Sequence, residues 1–247
     1  MKKISKIKTT IYLLSAVAFV LVAYTKKEPT QQINAAPKVR FSYPSGKDRF
    51  KWNSLVTYKI TVEDKEDGNS AYNEITANEV FLQLKYFADS NKAAAYIRLE
   101  ETNKTIPELS LMRSYTCFNC HAIKTKLIGP SFEAIALKYP HNQTSYTRLA
   151  EKIIKGSKSV WGSVEMPAHP DLNRQYAIQM AEWICTNASD TTTDYLPGLE
   201  GAFRTKNKPA ESNGKAVYVL KAFYKDHGIQ GDSTTQITSQ QIILLRE

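Results

Sequence analysis

The stretch Cys117-Phe118-Asn119-Cys120-His121 decides how the rest of the chain is interpreted. Two thiols three positions apart can each add to one vinyl group of a haem, and the imidazole that follows is left to face the iron. In a chain with 3 Cys and 4 His among 247 residues, chance produces this pattern on the order of once per thousand chains. The motif therefore predicts one covalently attached haem c with its iron, held by Cys117, Cys120 and His121.

Two other kinds of site use paired cysteines. A structural zinc site needs a second ligand pair, and the remaining candidates, Cys185, His141, His169 and His227, are all isolated in sequence. A redox dithiol of the thioredoxin kind lies at the start of a helix within a βαβ pattern, which the flanking sequence lacks. Haem attachment is the interpretation that the motif favours.

The N-terminus reads as an export signal. Four lysines between Lys2 and Lys8 precede an apolar run over residues 11–23, which is short for a membrane span. The run resembles a lipoprotein leader in which Tyr24 replaces the acceptor cysteine, so residues 1–23 are either cleaved after Ala23 or retained as a weak membrane anchor. Residues 24–37, rich in Pro, Gln and Asn, are predicted to be a linker. The expected location is the periplasm or cell envelope of a bacterium.

Composition limits the choice of partners. The chain carries a net charge of +9, of which the leader lysines contribute four. A mild basic excess favours acidic protein surfaces, and no dense Lys/Arg stripe interleaved with aromatics indicates nucleic-acid binding. The length and 42% hydrophobic content suit one large or two small domains.

The segment over residues 38–100 is predicted to form half-buried strands. Apolar residues alternate with polar ones around Val39, across residues 56–63 and across residues 80–87. Between the second and third strands, Asp67-Gly68 lies in an acidic stretch and predicts a tight turn. A calcium loop is the functional alternative, but the spacing does not match an EF-hand, so a solvated turn is preferred.

Strand patterns return over residues 196–247, around residues 199–203, 217–224 and 242–245. The order of Gly214, Tyr218, Tyr224 and Asp226 resembles the last strands of immunoglobulin-like sandwiches of the polycystic-kidney-disease type. The fold class expected is α + β with two domains, in which a helical domain is inserted in, or follows, such a sandwich.

Residues 102–190 are predicted to be helical. Thr105 and Glu108 form a capping box around Pro107, and a second helix over residues 145–154 ends at Gly156. A last helix is expected from Asp171 to Asn187. Its stripe of Leu172, Tyr176, Met180 and Ile184 is interpreted as core.

This segment resembles the class I cytochromes c. The matching features are the C-x-x-C-H motif, Gly129-Pro130, Met166-Pro167 and the final helix. The resemblance implies that the Pro130 carbonyl accepts a hydrogen bond from His121 and that Met166 is the second axial ligand of the iron.

Other residues compete for these roles. Met112 and Met180 are interpreted as core residues, whereas His169 could replace Met166 and give bis-histidine ligation. Trp161 either covers the haem edge or packs in the core, and Cys185 is expected to be a buried free thiol.

A six-coordinate haem leaves no open position for a substrate, so the expected function is one-electron transfer and not catalysis. The resemblance implies a carrier between a dehydrogenase and a respiratory acceptor such as an oxidase, with the sandwich as a docking module. The alternatives are a haem peroxidase or nitrite-handling protein, which would need a labile Met166, and a carbohydrate- or protein-binding sandwich with an accessory haem. Trp52, Tyr72 and Tyr224 are the aromatics that carbohydrate binding would use.

Overall fold

The computed structural model describes residues 33–102, 106–158, 160–211 and 214–247. The predicted leader, most of the predicted linker and the predicted cap Thr105 lie outside these residues. Within them, no helix has both the length and the apolar character needed to cross a membrane.

Between residues 33 and 247, outside the gaps just named, eight strands form two antiparallel sheets, which together are called the two-sheet β region. The strands are β1 (Lys38–Tyr43), β2 (Leu55–Asp64), β3 (Gly68–Asn69), β4 (Val80–Phe87), β5 (Thr193–Pro197), β6 (Glu200–Arg204), β7 (Val217–Lys225) and β8 (Thr238–Arg246). In the first sheet, β2 pairs with β1, β3 and β6; the second has the order β5-β4-β7-β8. Each sheet thus combines strands that precede the helical segment with strands that follow it.

The strand β2 shows the predicted alternation. Tyr58, Ile60 and Val62 are buried while Thr57 and Lys59 are exposed. These side chains join Leu82, Leu220 and others of the second sheet in one hydrophobic core between the sheets.

The strand β4 is buried on both faces, so the prediction of a half-buried strand was wrong here. Phe81 and Gln83 are buried as fully as Val80 and Leu82. The reason is that the second face of this sheet packs against helices, and Phe81, Tyr195 and Phe223 share a second core with helical residues.

The described part of the chain contains five α-helices: α1 (Ser90–Thr102), α2 (Pro107–Ser114), α3 (Phe132–Lys138), α4 (Gln143–Lys155) and α5 (Arg174–Asn187). Helix α1 falls at the end of the segment predicted to be sandwich and was missed. It packs through Ala93 on Val217 and Val219 of β7, and Glu100 forms an ion pair with the buried Lys221.

Two helix starts differ from the prediction. The side chain of Asn142 accepts a hydrogen bond from the amide of Ser145 at 2.9 Å, so α4 begins two residues early. The side chain of Asn173 accepts from the amide of Gln175 at 2.8 Å and starts α5 at Arg174 instead of Asp171. Such capping outweighs apolar spacing because it satisfies amides that lack a helical partner.

The acidic turn is tight, as predicted, but it is not solvated. Gly68 has a φ of 93°. The carboxylate of Asp67 accepts hydrogen bonds from the hydroxyl of Tyr224 at 2.7 Å and the amide of His227 at 2.9 Å. Tyr224, one of the aromatics that carbohydrate binding would use, is fully buried.

Candidate functional site

A change of chain direction after α2 groups the residues of the C-x-x-C-H motif. Thr116 adopts the left-handed conformation with a φ of 57°, and residues Cys117–Asn119 form one 3₁₀ turn. The amides of Cys120 and His121 both donate to the carbonyl of Cys117, at 3.1 and 3.0 Å. This turn places both thiols and the imidazole along one cavity.

The imidazole of His121 is buried and fixed in orientation. Its Nδ1 lies 2.7 Å from the carbonyl oxygen of Pro130. Since a carbonyl can only accept, Nδ1 carries the proton and Nε2 keeps a free lone pair. Burial lowers the pKa of His121, although the hydrogen bond to Pro130 opposes this shift. The ring is therefore a neutral, pre-oriented ligand for a metal.

Two neighbours hold the ring in place. Phe132 stacks on it with centroids 5.2 Å apart and an interplanar angle of 14°. On Gly129, an added Cβ would lie 2.5 Å from Cε1 of His121, so only glycine allows this approach. The sequence motif Gly129-Pro130 thus has two physical roles: close contact with the ring and a hydrogen bond to it.

Met166 lies on a loop that is tied to the end of α4. Ser157 and Met166 exchange two backbone hydrogen bonds, of 3.1 and 2.9 Å. The amide of His169 donates to the carbonyls of Ile153 and Ile154, at 3.2 and 3.1 Å. These bonds fix the backbone of the loop while Met166 lines the cavity.

His169, the rival ligand, is placed differently. Its ring packs edge-on against Tyr115, with centroids 6.0 Å apart. Among the described residues, those that line the cavity include Met112, Met166 and Met180 but not His169. Met112 and Met180 are also buried in the core shared with the second sheet.

The walls of the cavity suit an apolar group. It contains about 1070 Å³ of empty space, part of it open to solvent. Apolar side chains dominate its walls, among them Phe132, Ile135, Leu149, Ile153 and Ile184. Burial raises the pKa of Cys117 to about 11, which keeps that sulfur as a thiol. Both motif cysteines are free, as is the buried Cys185.

The mouth of the cavity is apolar and surrounded by charge. Ile128, Val164 and Trp161 line it and are exposed, so Trp161 is not a core residue. Lys138 lies over the ring of Trp161, with Nζ 4.4 Å from its centroid. Lys158, which also lines the cavity, forms an ion pair with Glu165 at 2.7 Å.

An aromatic chain that sequence reasoning missed connects the motif with the second sheet. Phe118 contacts Phe132 with centroids 5.8 Å apart and Phe81 of β4 at 5.4 Å; Phe81 in turn stacks on Phe223 of β7 at 5.6 Å. A local sequence pattern could not reveal these contacts, because they join residues from four separate segments.

Comparison with known proteins matches about a third of the chain. Cytochrome c-552 of Nitrosomonas europaea is 37% identical over 79 residues, which are 32% of this chain and 77% of that protein. Cytochrome c-551 of Azotobacter vinelandii is 38% identical over 77 residues, 31% of this chain and 93% of that protein. Cytochrome c-552 of Hydrogenobacter thermophilus is 38% identical over 80 residues, which are 32% of this chain and 81% of that protein.

Solved structures are also similar to part of the chain. The crystal structure of wild-type Nitrosomonas europaea cytochrome c552 covers 31% of this chain and 95% of its own at 38% identity, with a TM-score of 0.30. No family model matches the chain.

Proposed function

Since the chain belongs, over about a third of its length, to the class I c-type cytochromes of the c-551/c-552 kind, we propose that it is an exported mono-haem electron carrier. The cofactor is haem c, covalently bound and containing iron. The homologues are electron-transfer cytochromes, which supports the assignment of this protein as an electron carrier and not as an enzyme. The observation that carries the proposal is that two thiols, a neutral imidazole and a thioether line a single apolar cavity.

Each of the proposed site residues has a distinct role. Cys117 and Cys120 would hold the porphyrin through thioether bonds, and Nε2 of His121 would bind the iron. The Pro130 carbonyl fixes the tautomer of His121 through the 2.7 Å hydrogen bond. Met166 would contribute a soft sulfur ligand, which favours ferrous iron. The bound haem supplies one-electron redox chemistry.

Covalent attachment is tested by acid-acetone extraction of the purified, exported protein. The haem should stay with the polypeptide, and Cys117→Ser or Cys120→Ser should each leave only one thioether bond, detected by mass and by the pyridine haemochrome spectrum. Cys185→Ser is the matched control, because that thiol is buried in a different cluster with Tyr139 and Tyr146. A wild-type protein that releases all of its haem would contradict the proposal.

The second ligand is tested by comparing Met166→Ala with His169→Ala. Met166→Ala should abolish the weak long-wavelength sulfur-to-iron band of the oxidised protein, whereas His169→Ala should keep it. The reverse result would assign the ligand to His169 and imply a lower reduction potential.

Partner proteins are proposed to dock at the mouth of the cavity. Exposed apolar side chains there, Ile128, Val164 and Trp161, lie beside Lys138 and Lys152. An apolar centre with a basic rim fits an acidic redox partner, and we propose a dehydrogenase as electron donor and a respiratory oxidase as acceptor. The rate of electron transfer should then fall as ionic strength rises.

The rest of the chain is proposed to position this carrier. Residues 38–100 and 196–247 would form an immunoglobulin-like docking module around the haem domain of residues 102–190. Antiparallel pairing of β2 with β6 and of β4 with β7 supports this division. Residues 1–23 would direct export to the periplasm and could attach the protein to the membrane surface if they are retained. N-terminal sequencing of the mature protein tests the cleavage after Ala23.

A further inference from the structure

Three buried side-chain oxygens without a hydrogen-bond partner occur at one end of the two-sheet β region. They are Asn34 Oδ1, Asp64 Oδ2 and Glu66 Oε1, three of the six such buried polar atoms in the described part of the chain. A buried acceptor without a partner has lost its hydration without compensation. Buried acceptors in folded proteins are normally satisfied by a donor group, an ordered water or an ion.

The amide of Asn34 is oriented by two acceptors. Its Nδ2 donates to Asp226 Oδ2 and to the carbonyl of Thr235, both at 2.8 Å. Because both partners can only accept here, the amide cannot be flipped without losing two hydrogen bonds. Oδ1 is therefore held in the opposite direction, where it has no donor.

The two carboxylates each use one oxygen and leave the other free. Asp64 Oδ1 accepts from the amides of Glu66 and Asp67, at 2.9 and 2.7 Å. Glu66 Oε2 accepts from the amide of Ala35 at 3.3 Å, which places Glu66 beside Asn34. The side chains of Asp64 and Glu66 are each about nine-tenths buried. Only the exposed Lys65 approaches Glu66 Oε1, with its Nζ 3.8 Å away.

Negative charge accumulates around these oxygens. Burial raises the pKa of Asp64, the amides of Asp67 and Glu66 lower it, and the charges of Asp67 and Asp226 raise it further. Asp226 is itself buried, and its Oδ1 accepts from the amides of Gly228 and Ile237. Of the basic side chains nearby, His227 is already paired with Asp67 and Glu79, and the exposed Lys65 lies 3.8 Å from Glu66 Oε1. A bound cation would balance the remaining charge.

We propose that Asn34 Oδ1, Asp64 Oδ2 and Glu66 Oε1 form a Ca²⁺ site next to Asp226. All of these donors are oxygens, the ligand type that Ca²⁺ prefers, and no sulfur or imidazole is among them. The described residues hold no metal-binding group of three or more His, Cys, Asp or Glu; the free oxygens here come from two carboxylates and one amide. Because Ca²⁺ takes 6–8 oxygens, water and backbone carbonyls would complete the shell.

The site would have a structural consequence. Asn34 precedes β1, Asp64 ends β2, and Asp226 follows β7. One ion would tie the segment that enters the β region to a turn of the first sheet, and the hydrogen bond from Asn34 to Asp226 would extend this link to the end of a central strand of the second. It would stabilise the β region without contacting the haem cavity, since none of the three residues lines that cavity.

Isothermal titration calorimetry of the full haem-loaded protein, first treated with EDTA, tests the proposal with Ca²⁺ and Mg²⁺ as probes. One Ca²⁺ should bind, and Ca²⁺ at ten times its Kd should raise Tm by about 3–6 °C. Mg²⁺ should do so far less, because it demands a tighter octahedral shell. The haem spectrum should not change, which separates this proposal from the electron-carrier function.

Asp64→Asn, which removes one charge at nearly constant shape, should weaken Ca²⁺ binding at least tenfold. Glu63→Gln is the matched control, because Glu63 is the exposed neighbour of Asp64 on β2 and should leave the affinity unchanged. Glu66→Gln serves as a second variant if circular dichroism shows that Asp64→Asn does not fold. Three results would each overturn the site. The first is no calorimetric binding together with an unchanged Tm, the second is an equal effect of Mg²⁺, and the third is an equal loss of Ca²⁺ affinity in Glu63→Gln.

Discussion

Replacing Gly129 by alanine should disturb the orientation of His121 without straining the backbone. The added Cβ would lie 2.5 Å from Cε1, 2.9 Å from Nδ1 and 3.0 Å from Nε2 of the imidazole. Since unbonded carbon atoms prefer separations of about 3.5–4.0 Å, the ring must move by roughly 1 Å. Phe132, stacked on the ring, limits that movement. The 2.7 Å hydrogen bond to the Pro130 carbonyl is therefore expected to lengthen or break.

The expected change in reduction potential follows from the loss of this hydrogen bond. That bond pushes electron density onto the imidazole and favours ferric iron, so its loss should raise the reduction potential. Because the shift is the difference in the strength of this bond between the two oxidation states, its net value of about 0.5–1.5 kcal/mol sets an upper limit of about 20–60 mV for a one-electron couple. A spectroelectrochemical titration of the purified Gly129→Ala protein measures this shift. Thermal unfolding of the same sample should show a lower Tm.

The matched control is Gly46→Ala. There an added Cβ meets only Ile243, at an ordinary distance of 3.8 Å. This variant should keep the potential and the spectrum of the wild type. If Gly129→Ala also keeps both, the reasoning that His121 is the iron ligand positioned by Pro130 is refuted.

Two other perturbations have clear expected outcomes. Burial raises the pKa of Asp194 to about 6. Because the pKa of this carboxyl is higher in the folded than in the unfolded protein, its contribution to folding stability is complete below about pH 4 and is lost as pH rises through 6. Asp194→Asn should therefore be more stable than the wild type at pH 8, by about 2 kcal/mol, and nearly equal at pH 4, as chemical denaturation at the two pH values would show. Phe81→Ala should lower the free energy of unfolding by about 3–5 kcal/mol, because Phe81 is buried between Phe118 and Phe223; a loss below 1 kcal/mol would contradict its place in the shared core.

The β-strands show where a periodic pattern is sufficient and where it fails. Alternation over β2 predicts its buried face because the other face of that strand meets solvent. For β4 the same kind of alternation fails, since Phe81 and Gln83 face helices instead of water. The tertiary partner of a face, and not the strand itself, decides whether the face is buried.

The candidate site could also be predicted only in part. Cys117, Cys120 and His121 could be grouped from sequence because they fall on one turn of the backbone. Met166 lies far along the chain, and the family resemblance together with the neighbouring prolines pointed to it. Its position beside Ser157 depends on a backbone pairing that no local pattern encodes. Likewise, the prediction that the carboxylates near Gly68 are solvated failed for Asp67. Its contact with Tyr224 joins residues 157 positions apart, which a local pattern does not reveal.

The shared core explains why the β region and the haem cavity are not independent. The side chains of Phe81, Tyr195 and Phe223 leave the second sheet and enter the core formed by Leu109, Met112 and Ile184. Phe118, inside the C-x-x-C-H motif, contacts Phe81, so the sheet lies against the attachment turn and occupies that side of it. The exposed apolar side chains at the cavity mouth, around Ile128 and Val164, remain accessible. A redox partner should therefore approach from the mouth, while the β region fixes the orientation in which that mouth is presented.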